Sequence, residues 1–129
     1  MGDKIGSQII DVGYSIGDKL QRIRQTLTYK RYRLAYDLHP TFRFNGPGIR
    51  FAGDVRIYCM KDSYIGRYSS IGSFKPCSVV IGQGCRIGHF VQLFTSGLVT
   101  DQDFSKNIHN LDYKRGNIHI GDHCWIVPK

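Results

Sequence analysis

The chain has 129 residues, of which 41% are hydrophobic and 22% are charged, and it carries a net charge of +8. This length suffices for one small domain with a modest core, and the lack of a long apolar run excludes a membrane-spanning helix. The N-terminus, Met1-Gly2-Asp3-Lys4, lacks the basic segment and apolar stretch of a secretory signal. We therefore expect a cytoplasmic location.

The first predicted element is an amphipathic helix from about Ile16 to Leu38. Its apolar stripe at helical spacing consists of Leu20, Ile23, Leu27, Leu34 and Leu38. Its basic face carries Arg22, Arg24, Lys30, Arg31 and Arg33. Residues 1–50 hold 9 Lys or Arg against 4 Asp, so the positive excess is concentrated here.

This basic face has two interpretations. It is either a solvated face on a helix that covers the open end of the following domain, or a surface for nucleic acid or membrane. We favour the first, because Tyr29, Tyr32 and Tyr36 recur at helical steps typical of packing rather than of a base-stacking platform. We therefore expect neither a nucleic acid nor a membrane as partner.

A turn separates this helical segment from the rest of the chain. His39-Pro40 is predicted to end the helix, and Asn45-Gly46-Pro47-Gly48 to form the turn. The predicted organisation is therefore a helical segment over residues 1–48 and a β domain over residues 49–129.

An isoleucine-glycine step with a period of six residues organises the β domain. It is sharpest at Ile65-Gly66, Ile71-Gly72, Ile81-Gly82, Ile87-Gly88 and Ile120-Gly121. Each isoleucine pairs with a small or apolar residue two positions earlier, and each pair predicts a short strand facing inward. The pairs are Ile49/Phe51, Val55/Ile57, Ser63/Ile65, Ser69/Ile71, Val79/Ile81, Cys85/Ile87, Val91/Leu93, Ile118/Ile120 and Cys124/Ile126. Residues between the members, such as Tyr64, Val80 and Trp125, then point outward.

Strand and corner alternating at this period predict a triangular parallel β-coil with three hexads to the turn. Ile65 and Ile87 are 22 residues apart, 4 more than a coil of 18, and Ile87 and Ile126 are 39 apart, an excess of 21. The first excess falls between Ile71 and Val79, and the second is an external loop at about 94–117. Both lie at one corner, and a long excursion from a strict repeat is more often functional than not.

The run from Ser63 to Ile126, above all Ile65–Gly72 and Ile120–Ile126, resembles the hexapeptide-repeat acyltransferases of left-handed β-helix fold. The nearest resemblance is to the sugar and antibiotic O-acetyltransferases. It implies a left-handed coil and a homotrimer with a coenzyme A cleft between subunits. It also implies transfer of an acetyl group from acetyl-CoA to a small-molecule acceptor with a sugar-like hydroxyl, without a metal.

The resemblance also implies a histidine as general base, since imidazole exchanges protons near neutral pH. Leu98 occupies the expected position of that histidine and cannot accept a proton. His109, the only histidine of the external loop, is then the candidate base, although a solvated surface histidine is an equal alternative. Asp112 is the candidate for orienting its imidazole. His119 and Trp125 are candidates for the wall of the cofactor cleft, with subunit packing as the alternative for His119.

Two further classes of function stay open. A zinc site like that of γ-class carbonic anhydrases requires a second histidine five residues after His89, where this chain has Phe94. A non-catalytic trimeric scaffold or an inactive, C-terminally truncated remnant agrees with Leu98 and with the abrupt ending at Val127-Pro128-Lys129.

The four cysteines have neither disulfide-type nor metal-type spacing. They are predicted to be reduced, and Cys85 and Cys124, which fall at inward positions, to be buried as small apolar residues.

Overall fold

The computed structural model describes residues 2–54 and 56–128, so that Val55 and Lys129, which entered the predictions above, lie outside the described residues. Two compact units divide at Tyr32 and Arg33. Helix α1 spans Gly2–Ala35; its residues up to Tyr32 belong to the first unit, and its last three belong to the second. None of the helices within the described ranges is long and apolar enough to cross a membrane.

Helix α1 differs from its predicted bounds at both ends. It begins well before Ile16, and it ends before Leu38 because the backbone of Leu38 pairs with Cys59 in a parallel sheet. Four residues of its predicted apolar stripe, Leu20, Ile23, Leu27 and Leu34, are more than half exposed, and Leu38 lies outside the helix and is partly buried. The amphipathic pattern therefore predicted a helix correctly but overestimated how much of its apolar stripe is buried.

The described part of the second unit contains thirteen short strands. They are β1 (Asp37–Leu38), β2 (Arg43–Asn45), β3 (Arg50–Gly53), β4 (Ile57–Cys59), β5 (Tyr64–Gly66), β6 (Ser70–Ser73), β7 (Val79–Ile81), β8 (Arg86–Ile87), β9 (Gln92–Phe94), β10 (Ser96–Leu98), β11 (Tyr113–Arg115), β12 (Ile118–Ile120) and β13 (Trp125–Ile126). A short 3-10 helix, Ile108–Asn110, lies between β10 and β11.

Three parallel sheets enclose the core of this unit. The first sheet has the order β1-β4-β7-β12, the second β2-β5-β8-β13 and the third β3-β6-β9. Each sheet is visited once per coil, which is the topology of a β-helix-like fold. The coil begins at Asp37 rather than at the predicted Ile49, because β1 and β2 already pair in parallel with β4 and β5.

Strands β1 and β2 of the first coil were not predicted, because they lack the isoleucine-glycine step, whereas β3 agrees with the predicted pair Ile49/Phe51. The inward residues of this coil include the fully buried aromatic Phe42, which no hexad pattern identifies. Elsewhere the predicted alignment is confirmed. Ile65 is aligned with Ile87, and Ile87 with Ile126, across both interruptions. Ile65 and Ile87 have no exposed surface, as the inward assignment requires.

Buried serines complete the interior at two corners. Ser63 is fully buried, and its hydroxyl donates to the carbonyl oxygen of Gly82 at 2.6 Å while accepting from the amide of Cys85 at 2.9 Å. Ser69 makes the equivalent pair of bonds at the next corner. These hydroxyls satisfy backbone groups that the corner would otherwise leave unpaired in the core.

The cysteines divide into two classes. Cys59, Cys77 and Cys85 are free and buried. Burial, and to a smaller extent the neighbouring Cys85 thiol, raise the pKa of the Cys59 thiol well above its ordinary range, so this side chain behaves as an apolar residue. The prediction for Cys124 is wrong: it is exposed, because no further coil is stacked over it in the described residues.

Candidate functional site

Both interruptions of the coil lie at one corner, between the third sheet and the first, as predicted. The shorter one connects β6 to β7, and the longer one connects β9 to β12 through an antiparallel hairpin of β10 and β11. In this hairpin Ser96 is opposite Arg115, and Leu98 is opposite Tyr113.

Thr95 fixes the base of the hairpin to the coil. It is buried, and its backbone N–H donates to the carbonyl oxygen of Gly72 at 3.1 Å. Its hydroxyl oxygen accepts from the amide of Phe74 at 2.9 Å, and its carbonyl oxygen accepts from the amide of Gly116 at 2.9 Å. Thr95 therefore joins the short turn to both strands of the hairpin. Sequence reasoning missed it, because a single threonine at a loop start has no distinguishing pattern.

A groove of about 360 Å³ lies between the short turn and the hairpin. We call it the corner groove, and it is lined by Phe74, Lys75, Ser96, Gly97, Tyr113 and Arg115. Its volume is near the lower end of the range for small-molecule sites, which is about 300–1,000 Å³. Aromatic rings, a hydroxyl and cationic groups therefore converge on a space large enough for part of a ligand.

The corner groove is electropositive. Among the residues that the structure describes, neither Lys75 nor Arg115 forms an ion pair. Two uncompensated cations beside low-dielectric aromatic walls attract anions such as phosphate or carboxylate. The groove is therefore suited to an anionic ligand with an aromatic or apolar portion.

Polar side chains order the tip of the hairpin, residues 99–112. The amide nitrogen of Gln102 donates to the carbonyl oxygens of Val99 at 2.7 Å and of Asp112 at 2.9 Å, and its amide oxygen accepts from the backbone N–H of Asp112 at 2.7 Å. Hydrogen bonds from the hydroxyl and backbone N–H of Ser105 hold the pKa of the Asp103 carboxyl below its ordinary value. Asp103 is thus a carboxylate at neutral pH.

The structure places His109 in this exposed tip, within the 3-10 helix Ile108–Asn110. Its backbone N–H donates to the side-chain oxygen of Asn107 at 3.1 Å. In the described residues no hydrogen bond links the imidazole of His109 to the carboxylate of Asp112, although both lie in the tip. Leu98 is 44% exposed and is the last residue of strand β10, which leads into the tip.

The other two predicted site residues lie on different sheets. His119 is exposed on the first sheet, where it is aligned with Val80. Trp125 is 73% exposed on the second sheet, where it is aligned with Arg86. Neither residue lines the corner groove. The three residues thus lie on three different elements: His109 in the hairpin tip, His119 on the first sheet and Trp125 on the second.

Metal ligation has no obvious location in the described part of the chain, where no three His, Cys, Asp or Glu residues are grouped closely enough to hold an ion. His89, the residue considered for zinc, has another role. Its Nδ1 atom accepts a hydrogen bond from the amide of Arg67 at 2.9 Å, which leaves the ring proton on Nε2 when the imidazole is neutral.

No protein-family model matches this chain, and neither a curated protein nor a solved structure shows significant similarity to it. Only the side chains and their geometry therefore bear on function.

Proposed function

We propose that this chain is a left-handed hexapeptide-repeat protein that transfers an acetyl group from acetyl-CoA to a sugar-like hydroxyl. The observation that supports a ligand site best is the corner groove, in which Lys75 and Arg115 stand unpaired beside Phe74 and Tyr113. The isoleucine alignment across two interruptions supports the hexapeptide assignment, and the left hand follows from the resemblance of the repeat.

The groove residues fit one part of acetyl-CoA. Lys75 and Arg115 would bind its phosphates, since cations in a partly desolvated groove form strong charge-assisted hydrogen bonds. Phe74 and Tyr113 would contact the adenine or the apolar part of the pantetheine arm. Because a volume of about 360 Å³ is too small for the whole molecule, the remainder of the donor would extend over the outer surface.

The second part of the proposal is a homotrimer. His119 and Trp125 lie on different sheets, and in the proposed trimer each of two neighbouring subunits would contribute one of these side chains to the cofactor cleft. In such an assembly the hairpin tip of one subunit would reach its neighbour and bring His109 to the cleft. Closed cyclic assembly would also cover outward apolar residues such as Val80.

His109 would act as the general base. Its imidazole would take the proton of the acceptor hydroxyl while that oxygen attacks the thioester carbonyl. The new C–O bond forms as the C–S bond breaks, and coenzyme A leaves as the thiol after protonation. Asp112 would orient the imidazole once the tip is docked.

Calorimetry with acetyl-CoA tests the groove. Lys75→Ala and Arg115→Ala should each weaken binding about tenfold or more, because each removes a charge-assisted contact. Lys114→Ala is the matched control, since Lys114 neighbours Arg115 on the same strand but does not line the groove. Equal effects of all three substitutions, or no binding by the parent protein, would reject the groove as the donor site.

Mass spectrometry of acetylated sugars tests turnover, and it avoids thiol reagents that would also label the exposed Cys124. His109→Ala should lower the rate by about 10²–10⁴-fold, the usual contribution of a general base. The control is His123→Asn, because His123 is an exposed corner histidine with φ 57°, a conformation that asparagine tolerates. An unchanged rate in His109→Ala would remove His109 from the mechanism.

A non-catalytic trimeric scaffold is the second candidate. Two observations favour it: among the described residues no histidine lines the corner groove, and Leu98 occupies the position where the enzymes that the repeat resembles carry their base. Light scattering that shows a trimer, together with acetyl-CoA binding but no transfer to any sugar tested, would establish it. A clean monomer would count against the trimer and against the cleft between subunits.

A further inference from the structure

The outward face of the second sheet carries an alternating column of arginine and aromatic side chains. Its members, in strand order, are Arg43, Tyr64, Arg86 and Trp125, and we call this column the cation–aromatic ladder. Arg43 is aligned with Tyr64, Tyr64 with Arg86, and Arg86 with Trp125. Neighbouring strands are about 4.7–4.9 Å apart, so like members of the ladder recur at roughly 10 Å.

The ladder is accessible and positively charged. Trp125 is 73% exposed, and the guanidinium carbon of Arg43 lies 5.8 Å from the centroid of the Tyr64 ring. Among the described residues, no arginine of the ladder forms an ion pair, and the strands of the second sheet contain no carboxylate. The side chains thus form a row of cations and rings with no ion pair among the described residues.

The other two sheets lack this arrangement. The outward column of the first sheet is Asp37, Tyr58, Val80 and His119, and that of the third is Arg50, Ser70 and Gln92. The first column contains a carboxylate, a tyrosine, a valine and a histidine but no arginine, and the third has a single cation and no aromatic ring. The alternation is therefore specific to the second sheet and is not a consequence of the coil.

Flanking side chains add hydrogen-bonding groups. Asn45 lies on the strand of Arg43, and the ring of His89 lies against Gly66 on the strand of Tyr64, where a Cβ at Gly66 would be 2.5 Å from Nδ1. With Nδ1 already accepting from the backbone, the Nε2–H of neutral His89 can donate to a ligand. Donors and acceptors thus border the row of cations and rings.

We infer that the cation–aromatic ladder binds an extended anionic polysaccharide, which runs across the strands of the second sheet. Sugar rings would lie against Tyr64 and Trp125, and acidic groups would pair with Arg43 and Arg86. The inference names the acceptor class of the transferase and in that respect rests on the proposed function. The ladder ends at Trp125, which is also a residue of the proposed donor cleft.

The spacing selects this ligand over single-stranded nucleic acid. Nucleic acids also combine stacking with anion contacts and carry one phosphate for every base, so the ratio of cations to rings does not separate the two ligands; the distance of roughly 10 Å between like members of the ladder does. The ladder offers one cation and one ring for every two strands, a distance similar to the disaccharide repeat of an extended pyranose chain. A polysaccharide with one acidic group per disaccharide therefore matches both the charge and the period.

Binding measurements on the full chain test the inference without any need for turnover. The probe is a hyaluronan octasaccharide, which carries one carboxylate per disaccharide. Chitohexaose provides a neutral sugar chain, and a single-stranded oligonucleotide provides the competing class of polyanion. Of the three probes, hyaluronan should bind most tightly. Its affinity should fall as the salt concentration is raised, because its carboxylates pair with exposed arginines.

Substitutions locate the binding. Arg86→Gln and Trp125→Ala should each weaken hyaluronan binding about fivefold or more, and an unchanged melting temperature would show that folding is intact. Arg50→Gln is the matched control, because Arg50 is an exposed arginine on the third sheet. Equal loss in Arg50→Gln would mean attraction by net charge alone and would overturn the inference.

Three other outcomes would also overturn it: no binding of hyaluronan, binding of chitohexaose at equal strength, or tighter binding of the oligonucleotide. Failure of the ladder and failure of the transferase are distinguishable. Hyaluronan binding without acetyl transfer would support the ladder as a binding site and count against the transferase. Acetyl transfer to small sugars without hyaluronan binding would reject only the ladder as a binding site.

Discussion

The coil and the hairpin excursion are stabilised in different ways. In the coil, isoleucines such as Ile65 and Ile87 have no exposed surface, and parallel strands repeat the same contacts in successive coils. In the hairpin all three residues of β11 are exposed, and the tip depends on hydrogen bonds from side chains such as Gln102. One region is held by apolar burial, and the other by polar contacts to the backbone.

This difference separates stability from ligand recognition. Burial in the coil supplies the free energy of folding, and the excursion adds little to it while it carries most residues of the corner groove. Exposed loops on a rigid scaffold are where binding groups concentrate. Substitutions in the coil should therefore change the global stability, and substitutions in the hairpin should change local order and ligand binding.

The largest expected effect is that of Ile87→Asp. It removes a buried side chain that contributes about 1.5–3 kcal/mol and adds an unpaired charge to the core. Since small domains have only about 5–15 kcal/mol of stability in total, we expect loss of soluble, folded protein. Circular dichroism and soluble yield measure it. Gln92→Asp, at an exposed outward position, is the control, and a variant Ile87→Asp that melts like the parent would show the inward assignment to be wrong.

A smaller effect is expected from Gly53→Ala. Gly53 has φ +90°, and a Cβ there would lie 2.1 Å from the carbonyl oxygen of Ser73 on the neighbouring strand. Positive φ and a collision with backbone should together lower the free energy of unfolding by about 2–3 kcal/mol. Urea denaturation measures the change. Gly97→Ala, in the hairpin with no atom within 4 Å of the added Cβ, should be nearly neutral; similar losses in both would contradict the contrast between the regions.

Ser63→Ala tests the polar part of the coil interior. The substitution leaves the amide of Cys85 and the carbonyl of Gly82 without their buried partner. Stability should fall by about 1–3 kcal/mol, the cost of buried unsatisfied groups. Ser105→Ala removes a hydroxyl hydrogen bond from the exposed tip and should cost much less, as thermal unfolding of the two variants will show. A larger loss for Ser105→Ala would reverse the proposed division.

The coil could be predicted from the sequence because single residues at a fixed spacing mark its repeat. Each isoleucine-glycine step marks a strand and a corner, so the alignment of Ile87 with Ile126 follows by counting even across 39 residues. The start at Asp37 could not be predicted, because Phe42 replaces the small inward residues of the repeat. The exposure of Cys124 depends on what is stacked above it, which a repeat pattern does not specify.

The position of the corner could be predicted, but the side chains that line the corner groove could not. Counting placed both interruptions at one edge, yet Lys75 and Arg115 are 40 residues apart and meet only because the hairpin folds beside the short turn. Thr95, which ties these segments together, has no sequence signal. The predicted His109 and Asp112 share the hairpin tip without a hydrogen bond between their side chains, so their catalytic pairing stays a prediction.

The smallest global effect is expected from Gln102→Ala, and it is the sharpest test of the division between coil and hairpin. The side chain makes three hydrogen bonds to the backbone of Val99 and Asp112, which hold the two sides of the tip together. Because the tip buries little apolar surface, the free energy of global unfolding should change by less than about 1 kcal/mol. The hydrogen of the Asp112 amide should nevertheless exchange with solvent about fivefold faster or more, because the tip of the variant can open locally without breaking these hydrogen bonds.

Gln92→Ala, at an exposed position of the coil, is the control and should change neither the free energy of global unfolding nor the exchange rate. If Gln102→Ala instead lowered global stability as much as Ser63→Ala, the hairpin and the coil would unfold as one cooperative unit, and the corner groove would be as rigid as the core beneath it.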